Sequence, residues 1–142
     1  MTLDTLGELN WLAVLVAGVA YFALGAVWYQ PMVLGRAWMR AIGMDPSSVA
    51  PGQNAPAYAV TLMGYLVAAV AMAMLARATG SDTLADGLIL GLVVGIGFKA
   101  AIFLATAPFD VNRPQPWTLA ILNSAYHVIG LVIVAVIVSV WL

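Results

Sequence analysis

The sequence predicts an all-α integral membrane protein, a four-helix up-down-up-down bundle with a short interfacial helix after the first span. Three observations carry this. Of 142 residues, 64% are hydrophobic and 8% charged, whereas a soluble domain needs about 25% charged residues to cover its surface. Four apolar stretches reach about 20 residues or more, the length that crosses the hydrocarbon core. Proline and charge concentrate between them. The chain reads as one transmembrane domain, 1–142, with spans near 6–30, 56–77, 84–107 and 116–141 and an interfacial segment at 32–43.

Composition excludes several kinds of chemistry. There is no cysteine, which removes disulfides, thiol catalysis, Cys-ligated zinc, Fe–S clusters and covalent c-type haem. One histidine rules out a multi-His metal site within a chain. The net charge is −1 without a basic block, so nucleic acid is not an expected partner. Asp4 and Glu8 stand where a signal peptide carries positive charge. The first hydrophobic segment is therefore expected to be retained.

Thr5 and Glu8 fit a capping box at the start of the first span. That span stops at Pro31, which cannot continue a helix cheaply. Trp28 and Tyr29 at its end suit the membrane interface. In the following segment Arg36 and Arg40 share a face, while Val33, Leu34, Ala37, Trp38 and Ala41 lie largely opposite. This predicts a short amphipathic helix on the membrane surface. Residues 45–56, DPSSVAPGQNAP, are turn chemistry. The second span begins near Pro56 and is alanine-rich. Its Gly64 and Ala68 are four apart, a spacing that lets helices approach. The brief link TGSDT predicts that spans two and three are antiparallel neighbours, and Thr83 with Asp86 forms a second capping-box-like start.

In the third span Gly87, Gly91 and Gly95 recur every fourth residue, one row on a helix face, and the next position in that row is Lys99. The row predicts a packing face within the bundle or a dimer seam. Pro116 suits the first turn of the fourth helix. The valine-rich run from Val128 has strand-like propensity. At this length it is expected to be helical, because a lone strand cannot satisfy its backbone in lipid. Arg36, Arg40 and Arg113 fall on one side and Arg77 on the other. The positive-inside rule then places both termini outside the cytoplasm, in a membrane expected to be the bacterial inner membrane.

Counting inward from the flanking prolines places one polar group of each span in a common layer. Lys99 lies about 13 Å inside, His127 about 16 Å, and Tyr21 and Tyr65 about 14–15 Å. Asn123 is one turn from His127 on the same face. An ammonium at mid-bilayer costs at least about 2.5–3.5 kcal/mol, and no span interior holds an acid to pair with it. Lys99 is thus a candidate anion or proton site, or a cation that snorkels to the interface. His127 is read as a buried imidazole bonded to a tyrosine or carbonyl, with a proton relay to Lys99 as the sharper reading. It could ligate a haem or pigment only singly or across a symmetric dimer, and nothing in the sequence supports such a cofactor specifically, so none is expected. Tyr21 and Tyr65 are read as core residues with satisfied hydroxyls.

The run from Gly25, GAVWYQPMVLGRAWMRAIGM, resembles the family called domain of unknown function 1761. Gly25, Trp28, Tyr29, Pro31, Gly35, Trp38 and Met39 carry the likeness. In the tail, Pro116 with Trp117, then Ser124, Tyr126 and His127, then a valine-rich span ending in Trp141, carry it further. The resemblance implies a small multi-span membrane protein of bacteria and fungi, and it brings no established activity or catalytic residue.

Two functions are expected. The first is a non-enzymatic membrane protein, a homo-oligomer or accessory subunit packing through its small-residue faces. The second is a small-solute or proton-linked carrier using the layer of Lys99, His127, Tyr21, Tyr65 and Asn123. Small multidrug transporters share this size and span count but rely on an acid in the first span, and none lies between Trp11 and Gln30.

Overall fold

The structure, a computed structural model, describes residues 3–45, 47 and 55–141. It is all-helical, with no strand among those residues. Four helical segments are long and apolar enough to cross a membrane: Trp11–Trp28, Ala55–Thr79, Leu84–Phe109 and Pro116–Val140. We label the α-helices α1 (Trp11–Trp28), α2 (Arg36–Ile42), α3 (Ala55–Thr79), α4 (Leu84–Val94), α5 (Ala101–Thr106) and α6 (Pro116–Val140). The expected turn-rich stretch 45–56 lies mostly outside the described residues.

The first span starts later than Thr5 and Glu8 suggest. These two belong to a 3₁₀ segment, Leu3–Glu8. The helix proper is capped by Asn10, whose side chain accepts from the Ala13 N–H at 3.2 Å, filling one of the donors a helix N-terminus leaves open. The second prediction holds differently: Thr83 accepts from the Asp86 N–H at 3.1 Å and donates to its carboxylate at 2.5 Å. Helices α2 and α3 both end at a left-handed glycine, Gly43 (φ 75°) and Gly80 (φ 66°). Beyond each, the next amide reaches back to the last turn, Met44 to Met39 and Ser81 to Ala76. This satisfies carbonyls that would otherwise be orphaned. After Pro31 the chain re-enters a helix through a π turn, Pro31–Gly35. A Cβ on Gly35 would overlap the Tyr29 carbonyl.

Helix α6 is the hub, packing against α1, α3 and the whole third span, while α1 also packs on α3. The glycine row explains the closest of these contacts. A Cβ on Gly87, Gly91 or Gly95 would lie 2.8, 2.5 or 3.0 Å from the Cα of Val136, Val132 or Val128. The two backbones touch along three turns, so the row is an internal packing face, not a free dimer seam. The same valines that look strand-like in sequence supply the opposing wall of this seam, and α6 is helical throughout.

Two expectations are corrected. Lys99 does not continue the glycine row. A π turn, Gly95–Ala100, interrupts the third span and adds a residue to one turn. Ala100 takes the buried position and Lys99 is rotated onto an exposed face. Nor does the short TGSDT link make the second and third spans packed partners. The third span leans on α6, leaving an open groove of about 360 Å³ between α3 and itself. Gly64 consequently meets nothing within 4 Å, and Ala68 lines the groove instead of a helix seam.

At one end, Arg77 pairs with Glu8 at 3.1 Å and Asn10 donates to the Trp141 carbonyl at 2.9 Å. At the other, the Gln115 N–H donates to the Ala41 carbonyl at 3.3 Å, and Arg113 donates to that of Ile42 at 3.4 Å. Large apolar side chains such as Leu12, Val60, Ile89 and Phe98 point outward, as lipid-facing residues do.

Candidate functional site: an aromatic network beside an open groove

Gly130 opens α6 for the ring of Tyr21, which occupies the space a Cβ would need. Tyr21 stacks on Tyr65 with centroids 4.0 Å apart and planes 14° from parallel. Its hydroxyl hydrogen-bonds Nδ1 of His127. Tyr126, 1% exposed, is the knot of the cluster. Its hydroxyl donates to the Tyr21 carbonyl at 3.2 Å and lies 2.9 Å from the Tyr65 hydroxyl. A phenol has one proton and two lone pairs, so Tyr126 can give to the carbonyl and accept from Tyr65. Farther along, Tyr29 donates to Asn123 Oδ1 at 3.1 Å.

The predicted layer is thus split. Tyr21, Tyr65 and His127 come together as one hydrogen-bonded unit tying α1, α3 and α6. Asn123 belongs to a neighbouring pair with Tyr29. Lys99 makes no hydrogen bond to the unit. Its ammonium sits 5.9 Å from the centroid of Phe103, at the outer limit of a cation–π contact. Phe103 in turn stacks on His127 at 5.3 Å and 16°. Helices without a π turn would not bring these groups into this line, because the extra residue moves Phe103 as well as Lys99.

The Gly25-to-Trp38 run serves the same cluster. A Cβ on Gly25 would lie 2.8 Å from the Tyr126 hydroxyl. Trp28 and Tyr29 pack on Tyr126 at 6.1 and 5.2 Å, and Trp38 packs on Tyr29 at 5.4 Å. These rings pack toward the core cluster. Pro31 begins the π turn that carries Trp38 back over Tyr29, while Arg36 and Arg40 stay exposed. Tyr126, Tyr29 and Phe103 were not in the predicted layer. Their signal was the face shared by Asn123, Tyr126, His127 and Gly130, where a small residue beside rings marks a place for another ring.

The groove forms the second part of the site. From α3 it is walled by Ala68, Ala71, Met72 and Leu75, and Leu131 of α6 is also part of its lining. Lys99 enters from the third span between Phe98 and Phe103. Among the described residues no three His, Cys, Asp or Glu side chains gather as a metal site would require.

The model of the family described as "Protein of unknown function (DUF1761)" matches residues 12–139. No curated protein and no solved structure matches the chain. With nearly its whole length matched, the chain belongs to the DUF1761 family.

Proposed function

We propose that the protein is a non-enzymatic interaction subunit of a membrane complex, and that the groove between α3 and the third span receives a transmembrane helix. The observation that carries this is the open side of the bundle. Small residues on a helix surface favour close helix contact in lipid, and Gly64, Ala68 and Ala71 lie unpacked on that side. The occupant is a second copy or another chain. The hydrogen-bonded tyrosines supply a rigid scaffold behind the groove and no catalytic set. No cofactor is part of this reading.

In this reading the four spans run up-down-up-down. The contacts of Glu8 with Arg77 and of Asn10 with Trp141 at one end, and of Ala41 with Gln115 at the other, support that order. Helix α2 lies on the membrane with Arg36 and Arg40 toward water, supported by the burial of Ala41 on its opposite face. The arginine asymmetry supports termini outside the cytoplasm of a bacterial inner membrane.

The absence of cysteine makes a direct test simple. A single Ala71→Cys variant, treated in native membranes with a short bifunctional reagent, should join a second polypeptide. Ile89→Cys, on an outward face, should not. Equal yields from both positions, or none from Ala71→Cys, would overturn the docking reading.

A carrier is the second reading. The continuous line from Lys99 through Phe103 and His127 to Tyr21 favours it, since it links the groove to the core network. Flux in vesicles lost in both Lys99→Met and His127→Ala would support it. Flux unchanged in either would remove it.

A further inference from the structure

The groove carries a charge requirement that narrows its occupant, and this inference rests on the docking reading above. Lys99 stands in the groove without an acid. The chain has six acidic residues, Asp4, Glu8, Asp45, Asp82, Asp86 and Asp110. Each falls in a terminal segment, a link or the first turn of a helix. The walls facing Lys99 are apolar: Ala68, Ala71, Met72 and Leu75 from α3 and Leu131 from α6. Its ammonium lies 5.9 Å from the centroid of the Phe103 ring, which in turn stacks on His127. The π turn is what puts it there, since a regular helix would have aimed it at α6.

A second copy cannot supply the counter-charge. Copies related by an axis along the membrane normal keep equal depths. The acids nearest to Lys99 in sequence, Asp110 and Asp86, lie eleven residues after it and thirteen before it, about 16 and 20 Å away at helical rise. A symmetric dimer closed over the groove would bring one ammonium toward another. Lipid phosphates are held at the headgroup level, while Lys99 is about 13 Å inside. A side chain on a transmembrane helix can be set at any depth by its position in sequence.

We propose that the groove takes a helix of a different chain bearing an Asp or Glu at the depth of Lys99. Gly64, Ala68 and Ala71 let the two backbones approach, and the ammonium–carboxylate pair sets the vertical register. Pairing is how ionisable groups persist inside membranes.

The test uses the full-length protein in phosphatidylcholine vesicles at neutral pH. The probe is a fluorescent leucine–alanine transmembrane peptide of about 24 residues, with a single central Glu, against its Gln twin. The Glu peptide should bind about tenfold tighter or more than the Gln peptide. Lys99→Met should abolish that preference and Lys99→Arg should keep it. Equal binding of the two peptides, no binding of either, or a preference that survives in Lys99→Met would overturn the proposal. So would phosphatidylglycerol that displaces the Glu peptide in a Lys99-dependent way, because the site would then be a lipid site. Binding of the Gln peptide to wild type but not to Ala71→Trp would show a docking groove whatever the fate of the charge pair. The two readings therefore fail separately.

Discussion

The hydroxyl of Tyr126 is the most consequential single group in the core. It closes a path between Tyr21 on α1 and Tyr65 on α3 while standing on α6. Tyr126→Phe keeps the ring contacts but takes its partner from the Tyr65 hydroxyl, while the Tyr21 carbonyl keeps its place in the α1 ladder. Leaving buried polar groups unpaired costs about 1–3 kcal/mol, so unfolding in mixed detergent should begin at a lower denaturant fraction. Gly130→Ala tests the same knot from the other side. Its methyl group would fall on the Tyr21 ring, and overpacking of this kind costs about 1–3 kcal/mol. The Tyr21–His127 hydrogen bond should be lost with it, which the His127 ring nitrogen shifts in NMR would report.

Among the elements, the third span holds the largest gap between what is legible in sequence and what the chain does. Its existence, its start at Thr83 and its glycine row are readable from length, capping chemistry and four-residue spacing. The π turn is not, because Gly95 and Gly97 weaken the helix there without specifying which turn takes an extra residue. Phase is therefore right up to Gly95 and wrong after it, so Lys99 leaves the glycine row that regular spacing assigns to it. The layer of polar groups was legible for the same reason that it was incomplete. Counting residues finds depth, but only phase finds neighbours, so Tyr29 and Tyr126 read as belt and motif residues instead of network members. The short link was misleading too, since it limits how far apart the ends of α3 and α4 lie without making their length pack. Glycine substitutions separate the packed row from the open face. Gly91→Ala should push the third span off α6, because a Cβ there meets the Val132 Cα at 2.5 Å and backbone cannot swing aside. Gly64→Ala meets nothing within 4 Å and should be neutral or stabilising by up to about 1 kcal/mol from helix propensity. Thermal stability of the two variants in the same detergent checks the opposite signs.

For the whole molecule, the arrangement is three spans locked by an aromatic network, with a fourth helical segment held along α6 alone. This asymmetry leaves one side of the bundle unfilled, and an intramembrane cation stands in the gap. A closed four-helix bundle would have no such side and would need no partner. In the docking reading another helix completes it. Native mass spectrometry after gentle extraction from the protein's own membrane, comparing wild type with Ala71→Trp, tests this most directly. Wild type should emerge as a complex with a second, different polypeptide, and the variant as the bare chain when the indole fills the groove. A wild-type protein that emerges as a bare monomer, or a complex that survives Ala71→Trp unchanged, would contradict it.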